Sequence, residues 1–245
     1  MTKPFLILQL RPEDEAADGE FHAFLEKGEL DVSRTQRVRL ERDGLPEGLN
    51  LDDFAGVVVG GGPGCISDAP EQKSTDEARA ERAMLALMPE ITRRDMPFLG
   101  CCYGIGILAH HLGANVSKER YGEAVGPVAC TVTPEGQEDP LLAGLPESFH
   151  TLVGHKEAVQ SLPPGTVHLM RSDPCPFQMI RYGRNVYATQ FHPEADGDVF
   201  ADRIRIYKDR GYFPPETADA LTEAVYAQDV SVPSSILKRF FKRYN

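Results

Sequence analysis

Two adjacent cysteines lie between glycines in the segment Gly100-Cys101-Cys102-Tyr103-Gly104. The pattern centred on Cys102 is Gly-x-Cys-x-Gly, the cysteine counterpart of the Gly-x-Ser-x-Gly turn that presents a nucleophilic serine. A cysteine at the start of a helix faces unpaired N–H groups and the positive end of the helix dipole, which favour the thiolate. We therefore predict a cysteine nucleophile here, and the glycine spacing favours Cys102 over Cys101.

A histidine that could serve this nucleophile occurs in the segment His192-Pro193-Glu194. Residues two apart in an extended segment point the same way, so Glu194 can hydrogen-bond the imidazole and select its tautomer. His192 would take the proton of the cysteine thiol and return a proton to a leaving amine. A lone cysteine or histidine is more often structural, but the two together predict a Cys-His-Glu triad.

Buried strands and a helix must position these groups. The apolar residues 98–99 predict a buried strand before the cysteines. The apolar positions after the cysteines predict a helix that ends near Gly113. Residues 54–59 predict a second buried strand, which runs into Gly60-Gly61-Gly62-Pro63-Gly64. That loop can bring backbone N–H groups close to a ligand, although it lacks the Lys-Ser/Thr of a phosphate-binding loop.

Other periodic segments complete an α/β pattern. Strands are predicted at residues 5–10, 37–40, 125–133, 149–153, 166–170, 177–182 and 186–191, and helices at 76–88, 197–210, 215–228 and 234–244. Alternating strands and helices followed by mostly strands predict a mixed, mainly parallel central sheet with C-terminal helices.

Composition narrows the class of protein. A length of 245 residues suits one α/β domain over residues 1–245, with about 195–245 as a helical C-terminal extension. The formal net charge of -11 argues against nucleic-acid and membrane partners. Five cysteines without metal-ligand spacing predict reduced thiols, no metal and no cofactor. The absence of a signal-peptide core predicts a cytoplasmic protein.

The two motifs together resemble those of the class I glutamine amidotransferases, in particular stand-alone proteins similar to the glutaminase domain of GMP synthase. The resemblance covers about residues 5–194, and its anchors are residues 57–63, 97–104, 154–159 and 189–194. It implies a flavodoxin-like three-layer αβα fold and hydrolysis of the glutamine side-chain amide through a thioester on Cys102. His192 and Glu194 take the base and orienting roles.

The same resemblance implies the remaining site residues. The backbone N–H groups of Gly62 and Tyr103 would form the oxyanion hole, and substrate contacts would fall on Gly61, Gly106, Gly154, His155 and Lys156. The released ammonia would pass to an acceptor or to a separate synthetase chain. Gly106 is a departure, because the family usually has glutamine at this position, where its side chain contacts the substrate.

Three alternatives to a glutaminase stay open at this point. The chain could be a γ-glutamyl hydrolase acting on a peptide or amine conjugate, since Gly106 leaves room for a larger substrate. It could instead be a regulatory or scaffold subunit with a vestigial site. A thiol-dependent stress hydrolase of the broader flavodoxin-like group is a third alternative.

Overall fold

The computed structural model describes residues 2–245. Within them the strands are β1 Phe5–Gln9, β2 Thr35–Arg39, β3 Gly56–Val59, β4 Phe98–Cys101, β5 Val116–Ser117, β6 Glu123–Val132, β7 Ser148–His155, β8 Ala158–Val159, β9 Thr166–Ser172, β10 Met179–Tyr182 and β11 Val186–Thr189. The α-helices are α1 Asp14–Gly28, α2 Leu40–Asp43, α3 Thr75–Arg94, α4 Tyr103–His111, α5 Pro134–Gln137, α6 Gly197–Tyr207, α7 Ala218–Tyr226 and α8 Val232–Tyr244.

The main sheet has the strand order β2-β1-β3-β4-β11-β10-β9-β6-β7. Neighbouring strands from β2 to β11 pair in parallel, and those from β11 to β7 pair antiparallel. The short strands β5 and β8 form a separate antiparallel ribbon, which the sequence patterns did not predict. The mixed sheet with helices on both sides confirms the predicted architecture.

Successive side chains of the central strands point to opposite faces of the sheet, and they contribute to a separate hydrophobic core on each face. Val57 and Val59 of β3 pack in the core beneath α3 and α4, while Val58 packs in the core beneath α1 and α8. All three valines are completely buried, as expected of a parallel strand covered on both faces. The parallel strands therefore hold the carboxyl ends of β3 and β4 side by side.

Helix α3 extends well beyond its predicted end at Met88, passing through Pro89 to Arg94. An interior proline removes one hydrogen bond and costs about 3 kcal/mol. Here Pro89 is exposed, whereas Ile91 beyond it is completely buried. Burial of this further apolar turn offsets the cost of the proline.

The boundaries of four other predicted elements need correction. The second strand is shifted to Thr35–Arg39, and Leu40 instead begins the short helix α2. The strand predicted to reach Phe191 ends at Thr189. The helices predicted at 197–210 and 215–228 are shorter, and the latter begins as a 3-10 turn at Pro215–Thr217.

The last helix packs firmly on the sheet. Phe240 and Phe241 of α8 contact Phe5 of β1, with ring centroids 6.2 and 4.8 Å apart. Among residues 2–245, no helix has both the length and the apolar character that crossing a bilayer requires.

Candidate active site

Cys102 occupies the sharp junction between β4 and α4. Its N–H donates to the carbonyl oxygen of Thr189 at the end of the adjacent strand β11, at 2.7 Å. Its backbone has φ 55° and ψ -94°, a conformation that non-glycine residues rarely adopt. Such strain typically costs about 1–3 kcal/mol and persists where the surrounding fold enforces it. The junction therefore presents Cys102 at the N-terminus of α4.

Of the two flanking glycines, Gly100 is needed for close packing, whereas a Cβ atom on Gly104 would make only ordinary contacts. A Cβ atom on Gly100 would lie 3.0 Å from the Cα of Gly104 and 2.9 Å from the ring of Phe98. Neither Gly100 nor Gly104 has a positive φ; in this motif that conformation falls on Cys102 itself. The Gly-x-Cys-x-Gly spacing thus lets strand and helix backbones touch while the cysteine absorbs the turn.

His192 and Glu194 meet through a turn, not through an extended segment. The N–H of Ala195 donates to the carbonyl oxygen of His192 at 3.2 Å, which folds the chain back at Pro193. His192 Nδ1 lies 2.8 Å from Oε1 of Glu194. The sequence argument predicted this contact from an extended geometry, which is wrong here because β11 ends before the histidine. The bond leaves Nε2 as the nitrogen available to the cavity.

A buried ionic network lies behind His192. Arg203 of α6 donates from Nη2 to Glu194 Oε1 at 2.8 Å. Arg11 donates from Nε to Glu20 Oε2 at 2.7 Å, and the same oxygen accepts the N–H of Gly61 at 3.2 Å. Sequence reasoning missed Arg11, Glu20 and Arg203, which are scattered along the chain and carry no motif.

Burial and the ionic network set the protonation of the triad groups. Burial raises the pKa of the Cys102 thiol to about 12, an effect that the nearby Arg11 charge only partly opposes. Burial also lowers the pKa of His192 below its ordinary value, although Glu194 acts in the opposite direction. Burial alone would raise the pKa of Glu194, but His192 and Arg203 together hold it well below its usual range.

The resting pair is therefore a neutral thiol and a neutral imidazole beside an ionised carboxylate. This differs from the thiolate that the helix dipole predicted, because desolvation of the largely buried sulfur outweighs the dipole. Ionisation of Cys102 must accompany proton transfer to His192.

A cavity beside Cys102 gathers most of the predicted site residues. Its walls include Gly62, Cys102, Tyr103, Gly106, Gly154, His155 and Lys156, joined by Gln190 and Tyr212, which were not predicted. Gly61 does not line this cavity. A Cβ atom there would lie 2.7 Å from His192 Cε1 and 2.9 Å from Arg11 Nη2, so Gly61 makes room for these two side chains.

Backbone donors also reach the cavity. Among the hydrogen bonds of residues 2–245, the N–H of Gly62 has no acceptor. Tyr103 opens α4, where a residue's N–H has no intrahelical partner. Both donors can therefore face a ligand at Cys102.

Glu157 occupies the space opened by Gly106. A Cβ atom on Gly106 would lie 3.3 Å from Glu157 Oε1. The carboxylate accepts the N–H groups of Ile66 and Ser67 at 2.8 and 2.9 Å and the Ser67 hydroxyl at 2.6 Å. The missing glutamine side chain is thus replaced by a carboxylate that secures the loop after Gly64.

A second set of Cys, His and Glu lies deeper in the antiparallel half of the sheet. Metal-binding atoms of Glu123, His155 and Cys175 lie within 4.8 Å of one another. His155 bonds Glu123 Oε2 through Nε2 at 2.7 Å and the Glu157 carbonyl oxygen through Nδ1 at 2.8 Å. Ser172 and Gln178 also donate to Glu123. These contacts hold the loop that carries Lys156 and Glu157.

Sequence comparison relates the chain to glutamine-hydrolyzing GMP synthases. The chain is 32% identical over 155 residues to a glutamine-hydrolyzing GMP synthase of Thermosipho melanesiensis, covering 60% of this chain and 26% of that protein. The chain thus spans about a quarter of the length of that relative.

Solved structures share the fold over nearly the whole chain. A glutamine amidotransferase from Thermotoga maritima superposes with a TM-score of 0.78 at 19% identity, covering 100% of this chain and 99% of that one. One from Methylobacillus flagellatus gives 0.74 at 23% identity, covering 99% and 95%. Residues 24–205 match the model of the family described as Glutamine amidotransferase class-I, and the chain belongs to that family.

Proposed function

We propose that the protein hydrolyses γ-glutamyl amides, glutamine being the simplest, through a thioester on Cys102. The observation that carries this proposal is the strained turn that presents Cys102 to a cavity also reached by a histidine tied to a buried carboxylate. Family membership supports amide transfer or hydrolysis as the reaction class.

In the first half-reaction, Cys102 Sγ attacks the amide carbon while its proton passes to His192 Nε2. The carbonyl oxygen becomes an oxyanion, which the N–H groups of Gly62 and Tyr103 would stabilise. Each such donor typically lowers the barrier by about 3 kcal/mol. When the carbon–nitrogen bond breaks, the imidazolium returns the proton to the departing nitrogen.

In the second half-reaction, water attacks the thioester and gives a proton to His192. The tetrahedral intermediate then releases glutamate, and the proton returns to the sulfur, so the thiol and the neutral imidazole are restored. Glu194 stabilises the imidazolium that forms in each half, and Arg203 holds that carboxylate in place.

Ammonia released from glutamine would be used by a separate synthetase chain. The support is again a likeness: a putative GMP synthase subunit from Thermoplasma acidophilum has a TM-score of 0.62 with this chain at 22% identity, covering 85% of this chain and 99% of that one. Copurification followed by mass spectrometry tests this part of the proposal, and a co-eluting ATP-dependent synthetase is the expected result.

The reaction itself is tested by labelling with a γ-diazoketone analogue of glutamine. We expect ammonia release from glutamine and a single covalent adduct that maps to Cys102. Cys65, which also lines the cavity and whose pKa burial raises to about 11, provides the matched control. Cys65→Ser should still be labelled and Cys102→Ser should not; labelling of Cys65 alone, or no adduct and no amide hydrolysis, would contradict the proposal.

A further inference from the structure

A second recess opens from Cys102 on the His192 side. It shares Gly62, Cys102, Gly154 and Tyr212 with the first cavity. The recess is partly open to solvent. The reacting sulfur therefore lies between two spaces, only one of which contains the segment Gly154–Val159 that would hold the glutamyl group.

The walls of this recess are mostly apolar. They include Val125 of β6, Phe200 and Ile204 of α6, and Phe213 in the segment after α6. Tyr207, Tyr212 and Phe213 lie beyond residues 24–205, the part that matches the family model. Ammonia gains nothing from apolar walls, because it has no apolar surface to bury.

The position of His192 assigns this recess to the leaving group. The imidazole must give its proton to the departing nitrogen, so that nitrogen lies beside His192 in the reaction. Any substituent on the nitrogen then extends from His192, and the recess lined by His192 is where it would lie.

The charged side chains that line the recess are both cationic. Arg203 lines it, and its Nε and Nη1 have no hydrogen-bond partner among residues 2–245. Arg11 lines the recess as well. Its Nε donates to Glu20 and its Nη1 to the Tyr207 hydroxyl, whereas its Nη2 has no acceptor in the described chain. Glu20 and Glu194 lie behind these guanidinium groups and do not line the recess. This arrangement favours a carboxylate and disfavours an ammonium group.

We propose that the recess binds an apolar α-amino acid as leaving group, so that γ-glutamyl dipeptides with an apolar second residue are substrates alongside glutamine. This inference rests on the proposed function. Cys102 Sγ bonds to the γ-carbonyl carbon, the carbon–nitrogen bond breaks, and His192 protonates the released amine. Water then hydrolyses the thioester, so one dipeptide and one water give glutamate and one free amino acid.

The substrate test compares kcat/KM for glutamine, γ-glutamyl-leucine, γ-glutamyl-isopentylamide and γ-glutamylputrescine. The isopentylamide has the leucine side chain without its carboxylate, so it isolates the contribution of the charge. We expect γ-glutamyl-leucine to exceed glutamine by at least about tenfold, the isopentylamide to fall at least about tenfold below the dipeptide, and γ-glutamylputrescine to be the poorest conjugate.

The second test uses a substitution that fills the recess with a larger side chain. Val125→Phe should lower kcat/KM for γ-glutamyl-leucine at least about tenfold more than that for glutamine. Val128→Phe is the matched control, since Val128 is a half-buried valine on the same strand that does not line the recess. Thermal melts of both variants show whether they fold.

The outcomes separate this inference from the proposed function. If glutamine is hydrolysed and Cys102 is labelled, but the dipeptide is no better than glutamine or both phenylalanine variants behave alike, the leaving-group assignment is wrong. Preference for putrescine would overturn the charge argument. If no γ-glutamyl amide is hydrolysed and Cys102 is not labelled, the proposed function itself fails.

Discussion

The molecule contains two clusters of the same three residue types, Cys102-His192-Glu194 and Cys175-His155-Glu123. In the first, one imidazole nitrogen is bonded and the other faces a cavity. In the second, both ring nitrogens of His155 are hydrogen-bonded, and Cys175 is completely buried. Residue types alone therefore do not distinguish the two clusters; only the proposed reactive cluster combines a free ring nitrogen with a sulfur-bearing residue that lines a cavity.

Removing the two sulfurs gives the largest expected contrast. Cys102→Ala should lower kcat for glutamine at least about 10⁴-fold, because no other group forms the thioester. Cys175→Ala should leave kcat within about twofold and reduce the free energy of unfolding by about 1 kcal/mol. Ammonia release measures the effect on activity, and denaturant unfolding measures the effect on stability. Equal activity losses in the two folded variants would contradict the distinction between the two clusters.

Substitution of Glu194 should affect mainly activity, whereas substitution of Glu123 should affect mainly stability. Glu194→Gln should lower kcat about 10³- to 10⁴-fold, since the imidazolium formed during catalysis loses its counter-charge. Glu123→Gln should instead reduce the free energy of unfolding by about 2 kcal/mol, because an amide cannot take over all the buried hydrogen bonds that the carboxylate makes with His155, Ser172 and Gln178. Parallel kcat and unfolding measurements decide the matter, and a Glu123→Gln enzyme as inactive as Glu194→Gln would refute the distinction.

The smallest effect is a shift in pH dependence. A protonated His192 cannot accept the thiol proton, and burial lowers its pKa below the ordinary 6.5. The log of kcat/KM should therefore stay level from about pH 9 down to about pH 6.5 and fall with unit slope only at lower pH. Cys102, with a pKa of about 12, adds no further change in that range. A fall that begins at neutral pH would show that His192 is not the neutral base described.

Sequence reasoning located the short-range features of the site. The Gly-x-Cys-x-Gly turn and the His192-Glu194 contact depend on residues within a few positions of each other, where backbone geometry limits the options. Even so, the predicted reason for the His192-Glu194 contact was wrong, since a turn at Pro193 brings the pair together. The thiolate expectation also failed, because burial cannot be read from a local motif.

Contacts between distant residues could not be predicted in this way. Arg203 reaches Glu194 because α6 packs beside α1, and Arg11, which follows β1, reaches Glu20 of α1. Neither arginine has a distinguishing local pattern. The same holds for Glu157. It lies in the connection between β7 and β8, and its carboxylate occupies the space beside Gly106.

The sequence by itself determined the α/β architecture and predicted Cys102 as a nucleophile with His192 and Glu194 as its partners, because these follow from hydrophobic periodicity and local spacing. The tertiary structure alone decided which of two Cys-His-Glu clusters has a free imidazole nitrogen, how burial sets the protonation of Cys102, and where a leaving group has space. The reason is physical: desolvation, cavity shape and long-range ion pairs depend on what packs around a residue, not on its neighbours along the chain.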